Sequence, residues 1–210
     1  MDTGIVLTDL SDVLIRGIIG MDDILAEKYG FDVGRKFSAR FAEMTPQFHS
    51  LMRGNITEDE YWSIFLSVSE WNFIQIREMK RLLSMNMQKK IPGTLELYSR
   101  MRLPNGNRPV FILVSDHIKE RKDRMAAFHK DVFSFMDDMC WSYDFGMIKS
   151  DKDFFTELLI TKSLTPQKVI LIDDSLWNIE NAQKSHIRSF HFRNCYTLEH
   201  ELRAVGFSFE

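Results

Sequence analysis

Cysteine and proline are scarce in this chain, at two and five among 210 residues. Cys140 and Cys195 are too few for a disulfide framework and form no metal-binding pair pattern, so each reads as a small buried hydrophobe. Internal repeats and low-complexity linkers are missing. No uninterrupted apolar run approaches the ~18 residues of a membrane span. The N-terminus has neither the basic segment nor the apolar stretch of a secretory signal. An excess of one charge is missing too: Lys+Arg 27 against Asp+Glu 30 gives a formal net charge of -3. Bulk charge therefore offers no footprint for nucleic acid or an anionic membrane. These absences lead us to expect a soluble cytoplasmic protein, with monomer and homodimer both left open.

What is present is enough apolar residue (44%) for one sizeable core with a smaller appended unit. The chain changes character twice. After a first strand, Gly4 to Thr8, the stretch from Ile15 to Ile91 reads as successive helices. The pattern predicts helices over Met21–Tyr29, Arg35–Met44, Pro46–Met52 and Ile74–Met87. Gly54-Asn55-Ile56 is a turn, and Thr57 with Glu60 three residues on is a capping box that starts another helix.

From Pro92 strands and helices alternate. Helices are expected over Thr94–Leu103, Lys119–His129, Asp151–Thr161, Asn178–Lys184 and Leu198–Val205. Strands are expected over Pro109–Val114, Met139–Ser142, Lys168–Ile172 and Ile187–Phe192. Such alternation argues for an α/β fold with a doubly wound, mainly parallel sheet. The helical block fits poorly inside that sheet and reads as a second unit over its edge.

Two apolar runs end in acids: Gly4 to Thr8 in Asp9, and Lys168 to Ile172 in Asp173-Asp174. Parallel strands ending this way bring carboxylates together where open α/β sheets bind ligands, and paired carboxylates on loops suit Mg²⁺. Ser115 ends another strand, where its hydroxyl and nearby N–H groups can hold phosphate oxygens. Lys149 follows Gly146-Met147-Ile148 and is expected to open a helix, where its ammonium can neutralise a phosphoryl group. The charged run Lys119, Arg121, Lys122, Arg124 reads as a solvated helix face. Trp62, Phe65, Trp71 and Phe73 read as core of the helical block, and the histidines show no spacing that suggests a metal cluster.

Four segments in this order resemble the motifs of the haloacid dehalogenase-like superfamily, in the subgroup with a helical cap after the first motif. They are Asp9-Leu10-Ser11-Asp12-Val13-Leu14, Phe111-Ile112-Leu113-Val114-Ser115-Asp116, Ser142 to Lys149, and Ile170-Leu171-Ile172-Asp173-Asp174-Ser175 with Asn178 and Ala182. The resemblance covers essentially the whole chain. It implies a Rossmann-like three-layer core of residues 1–14 and 92–210, with residues 15–91 as the cap. It also implies a Mg²⁺-dependent phosphatase for a small phosphorylated metabolite. Asp9 would be the nucleophile that forms an aspartyl-phosphate. Mg²⁺ would take Asp9, the Ser11 carbonyl and Asp174, with Asp173 as ligand or support. Ser115, Asp116 and Lys149 would hold the phosphoryl group.

Three positions depart from the family pattern. Ser11 stands where phosphatases of this kind carry their general acid/base, Asp12 where glycine is usual, and Ser150 where proline commonly follows the lysine. Ser150 can instead cap the next helix. A hydroxyl at position 11 cannot protonate a leaving alkoxide or activate water, a loss typically worth ~10²–10⁴-fold. Weakened turnover is therefore expected. The alternatives are a catalytically degenerate binding protein and a C–X hydrolase of the dehalogenase type.

Overall fold

The computed structural model describes residues 4–18, 20–68 and 71–210. Residues 1–3, 19, 69 and 70 of the expected core and helical segments lie outside the described residues. Strand β1 (Ile5–Thr8) sits at the centre of a five-stranded sheet. It is flanked by β3 (Val110–Ser115) and β5 (Val169–Asp173), with β4 (Asp138–Trp141) and β6 (Arg188–His191) outermost. Every pairing in it is parallel. Strands covered on both faces should read as continuous apolar runs. Val169-Ile170-Leu171-Ile172 does so, all four buried.

Alternate residues feed opposite layers, as the period of two requires. Val6, Phe111, Leu113, Ile170 and Ile172 face a core shared with Leu97, Tyr98, Leu198 and Leu202 of α6 (Thr94–Arg100) and α12 (Cys195–Ala204). Leu7, Ile112, Val114 and Leu171 face Phe154, Phe155, Leu158 and Ile179 of α10 (Phe154–Thr161) and α11 (Leu176–Lys184). The result is a three-layer α/β fold. Among the described residues, no helix is long and apolar enough to cross a membrane.

Between β1 and α6 the chain builds α1 (Met21–Tyr29), α2 (Phe31–Glu43), α3 (Thr45–Met52), α4 (Glu58–Val68) and α5 (Phe73–Asn86). Exit and return run side by side: the Arg16 N–H donates to the Lys89 carbonyl (2.8 Å) and the Ile91 N–H to the Leu14 carbonyl (2.8 Å). That pairing suspends the helical block at the carboxyl end of β1. The Thr57–Glu60 box is formed, with the Thr57 N–H on Glu60 Oε2 (2.7 Å) and the Glu60 N–H on Thr57 Oγ1 (3.2 Å). A second box, Asn72 with Gln75, starts α5.

Several expectations are corrected. The helix from Thr94 stops at Arg100, because Met101-Arg102 (β2) pairs antiparallel with Ser208-Phe209 (β7). Lys119–His129 divides into a 3₁₀ turn and α7 (Lys122–Phe128), and α8 (Lys130–Phe135) follows it unforeseen. Phe73, in the first turn of α5, is 69% exposed and so stands outside the block's core.

Arg121 is not on a solvated face. It is buried, with Nε donating to Glu58 Oε2 at 3.0 Å and Nη2 to Glu58 Oε1. Trp62 Nε1 also donates to Glu58 Oε1, at 2.9 Å. Burial pushes the Glu58 carboxyl up, but Arg121, Trp62 and Lys80 pull it below its ordinary 4.5.

Breaking a buried pair from one side leaves an uncompensated charge and costs about 3–5 kcal/mol. Arg121→Met should lower the urea midpoint accordingly, and Arg121→Met with Glu58→Leu should recover most of the loss. Because the folded value lies below the unfolded one, this stabilisation is complete above about pH 4.5 and fades as acid protonates Glu58. A single variant with the wild-type midpoint would show that the pair is not desolvated.

Candidate functional site

Asp9 follows β1, Ser115 ends β3, and Asp173 ends β5, so parallel pairing alone brings three of the expected residues to one sheet edge. Lys149 arrives from the turn after the short helix α9 (Ser142–Phe145). It does not open a helix as expected, and Ser150 caps none, because α10 starts only at Phe154 with Asp153 in the cap position. Side-chain and backbone bonds hold this loop instead. The Lys149 N–H donates to both Asp116 oxygens (3.1 and 3.2 Å), and Asn181 Nδ2 donates to the Lys149 and Asp151 carbonyls (2.7 Å each).

The Lys149 side chain is 2% exposed, and its ammonium lies 2.8 Å from Asp9 Oδ1 and 2.7 Å from Asp173 Oδ2. Asp173 Oδ1 accepts the Ser175 N–H (2.9 Å) and Asn178 Nδ2 (3.0 Å). Asp173 is thus engaged through both oxygens. The Leu10 N–H (2.7 Å) shares Asp9 Oδ1 with Lys149, which fixes that carboxylate through one oxygen. One carboxylate oxygen each from Asp9, Asp173 and Asp174 lie within 4.8 Å of one another. An all-oxygen, all-anionic set of this kind is what a hard divalent cation requires.

Asp9, Ser11, Asp116, Lys149 and Asp174 line one cavity of about 350 Å³, together with Asp12, His117 and Asn178. Ser115 and Asp173 stand buried beside it. The Ser115 hydroxyl has no hydrogen-bond partner among the described residues. Asp12 takes the left-handed region (φ 56°), where glycine is more usual. Its Oδ1 accepts the Gly17 N–H at 3.1 Å, and a Cβ at position 17 would lie 2.5 Å from Asp12 Oδ2, so a side chain there would push the Asp12 carboxylate aside.

Carboxylates crowd the site. Burial raises Asp9 well above its ordinary value; Lys149 opposes, and Asp173 and Asp174 add to the rise. Burial and Asp173 push Asp174 to about 6 against the pull of Lys149, with Asp12 contributing further. Burial also lifts Asp116 to about 6, against the pull of Lys149. Lys149 is itself raised, because Asp173, Asp9 and Asp116 outweigh its desolvation.

Sequence reasoning did not find the ties between this site and the helical block. Arg53 Nε donates to Asp151 Oδ2 at 3.0 Å, and Nη2 bonds Oδ1. Ser142 Oγ donates to the Met52 carbonyl (2.6 Å) and accepts the His117 N–H (3.1 Å). His117 follows directly on Ser115-Asp116, but nothing in its spacing marks it. Asn181, one turn after Asn178 in α11, was legible by helical period.

No protein-family model matches the chain, and no curated protein matches it in sequence. Solved structures do match in shape. The HAD-hydrolase YfnB from Bacillus subtilis bound to magnesium has a TM-score of 0.68 at 16% identity, covering 97% of this chain and 100% of that one. A HAD family enzyme from Bacteroides thetaiotaomicron, in complex with magnesium and inorganic phosphate, has a TM-score of 0.61 at 19% identity, covering 90% and 94%. This chain has the haloacid dehalogenase-like fold. The L-2-haloacid dehalogenase from Xanthobacter autotrophicus, with chloropropionic acid covalently bound, shares that fold at a TM-score of 0.61 and 11% identity, covering 96% and 82%.

Carboxyls raised in the folded state bind protons that the unfolded chain releases, so stability falls as pH rises from about 4 toward the raised values near 6. A divalent cation replaces those protons. Mg²⁺ should therefore raise the melting temperature more at pH 8 than at pH 5, and Asp174→Asn should abolish the shift. An equal shift at both pH values, or one that survives in Asp174→Asn, would count against this site.

Proposed function

We propose that this protein is a Mg²⁺-dependent phosphomonoester hydrolase acting through an aspartyl-phosphate at Asp9, with turnover weakened by Ser11. The observation that carries this reading is the Asp9–Lys149–Asp173 ion cluster beside Asp174 at the carboxyl ends of the central strands. The donor set fits the metal. Asp9, Asp174 and the Ser11 carbonyl would hold Mg²⁺, with Asp173 supporting from its saturated position. Mg²⁺ bound there supplies charge neutralisation for phosphoryl oxygens.

Asp9 attacks phosphorus in line. Its carboxylate oxygen forms the new P–O bond while the ester P–O bond breaks, and the electron pair leaves on the departing oxygen. Water then attacks phosphorus, the Asp9–phosphorus bond breaks, and inorganic phosphate departs with Asp9 restored. The Lys149 ammonium offsets the phosphoryl charge, and the partnerless Ser115 hydroxyl is a donor to its oxygens. Residues 15–91 serve as the cap that excludes water, over a core of residues 1–14 and 92–210. Arg53–Asp151 and Ser142–Met52 support that role by tying the block to the site loops.

Ser11 and Asp12 favour a second reading, a binding protein without turnover: one removes the acid and the other adds charge beside the phosphoryl position. A C–X hydrolase is less well supported, because a 2-haloacid carries its own carboxylate. Lys149, already paired, is the one cation among the described residues that line the cavity.

An aryl phosphate should turn over in Mg²⁺, and the activity should vanish in Asp9→Asn. Ser11→Asp should raise alkyl phosphate hydrolysis by about 10²-fold or more. If wild type and Ser11→Asp are both inactive while Mg²⁺ and phosphate bind, the binding-protein reading replaces this one.

A further inference from the structure

Above its charged floor the cavity changes character. The walls come from Ile18, Phe48, Met52, Leu83, Met87 and Ile118, contributed by the helical block and by the loop after β3. Its volume of about 350 Å³ lies at the small end of ligand pockets, which run ~300–1,000 Å³. Among the described residues that line it, Asp9, Asp12, Asp116 and Asp174 bring four carboxylates and Lys149 the one ammonium. A substrate with a second phosphate or a carboxylate would find no further cation among those described residues.

His117 does not supply one. Its Nδ1 lies 3.0 Å from the Ile118 carbonyl, which can only accept, so Nδ1 carries the proton and Nε2 is a bare acceptor. Burial keeps the ring neutral, with its value pushed down to about 4. Ser11 offers no acid to the departing oxygen. Asp116 is engaged through both oxygens by the Lys149 N–H, so the leaving group departs as an anion stable in its own right.

We infer that the substrates are small aryl-type phosphomonoesters whose apolar ring fills the wall between α3, α5 and the β3 loop and carries no second anionic group. This rests on the phosphohydrolase reading above and names its substrate class. The ring oxygen takes the electron pair of the broken P–O bond and leaves as a phenolate. Its negative charge is delocalised, so Ser11 is not asked for a proton. An alkoxide has no such outlet.

The test uses the wild-type chain in Mg²⁺ with non-hydrolysable probes and calorimetry, so binding is read without turnover. Phenylphosphonate should bind at least tenfold more tightly than phosphonoacetate, which carries a second anion, and more tightly than inorganic phosphate. Leu83→Ala should weaken phenylphosphonate by about tenfold, the scale of a truncated leucine contact, and inorganic phosphate less. Phosphonoacetate equal to or tighter than phenylphosphonate, with phosphate still bound, overturns the aryl assignment and leaves the hydrolase reading standing. If neither inorganic phosphate nor any phosphonate binds in Mg²⁺, the hydrolase reading falls and the aryl assignment falls with it.

Discussion

The structure depends on a buried ammonium. Lys149 is almost wholly enclosed and lies within 2.8 Å of two carboxylates from different strands. An isolated charge at that depth is prohibitively costly, and so is each carboxylate without its partner. The three groups are therefore tolerable only together. Because Asp9 directly follows β1 and Asp173 ends β5, the ammonium fixes the relative height of two strand ends. Asp116 and Asn181 then hold the lysine's own backbone at both sides. A loop that would otherwise wander is located by electrostatics rather than by secondary structure.

The cluster is also out of balance, and the imbalance is informative. Asp9, Asp116 and Asp174 are all raised, which means that each would be easier to keep as a neutral acid. A fold selected for stability alone would not gather them around one lysine. Perturbed acids converging in a cleft are instead a mark of function. Asp12, in a left-handed conformation more natural to glycine, adds to the same excess. A cation held by Asp9 and Asp174 would relieve the largest part of it, which ties the site's electrostatics to its occupancy.

Much of this was legible in the sequence because it is local. Apolar runs ending in Asp9 and Asp173-Asp174 announce strand ends, and parallel pairing does the rest. The Thr57–Glu60 box set a helix start for the same reason, since its two hydrogen bonds span three residues. What was hidden is non-local. Arg121 looks like one more charge on a basic helix until Glu58, far away in the chain, is brought against it. The β2–β7 pair joins residues a hundred positions apart and overrides a helical pattern through Leu103. Lys149 looked like a helix opener because Ser150 read as a cap and Asp151 as the first residue of the next helix. Asp151 is taken by Arg53 and the Ile148 N–H, which removes it from that role.

On the proposed reading, binding and turnover are separable in this chain, and the reason is geometric. The carbonyl of residue 11 is the same whatever side chain it bears, so the proposed cation site on that carbonyl, Asp9 and Asp174 would tolerate serine there. Only proton transfer is lost. The helical block enters the same balance from above. Met52 and Arg53 at the end of α3 bond to Ser142 and Asp151, in loops that also position His117 and Lys149. Apolar walls from that block lower the local dielectric and strengthen each charge interaction beneath them. On the proposed reading the site relies more on this enclosure, since without an acid at position 11 electrostatic stabilisation is what it has left.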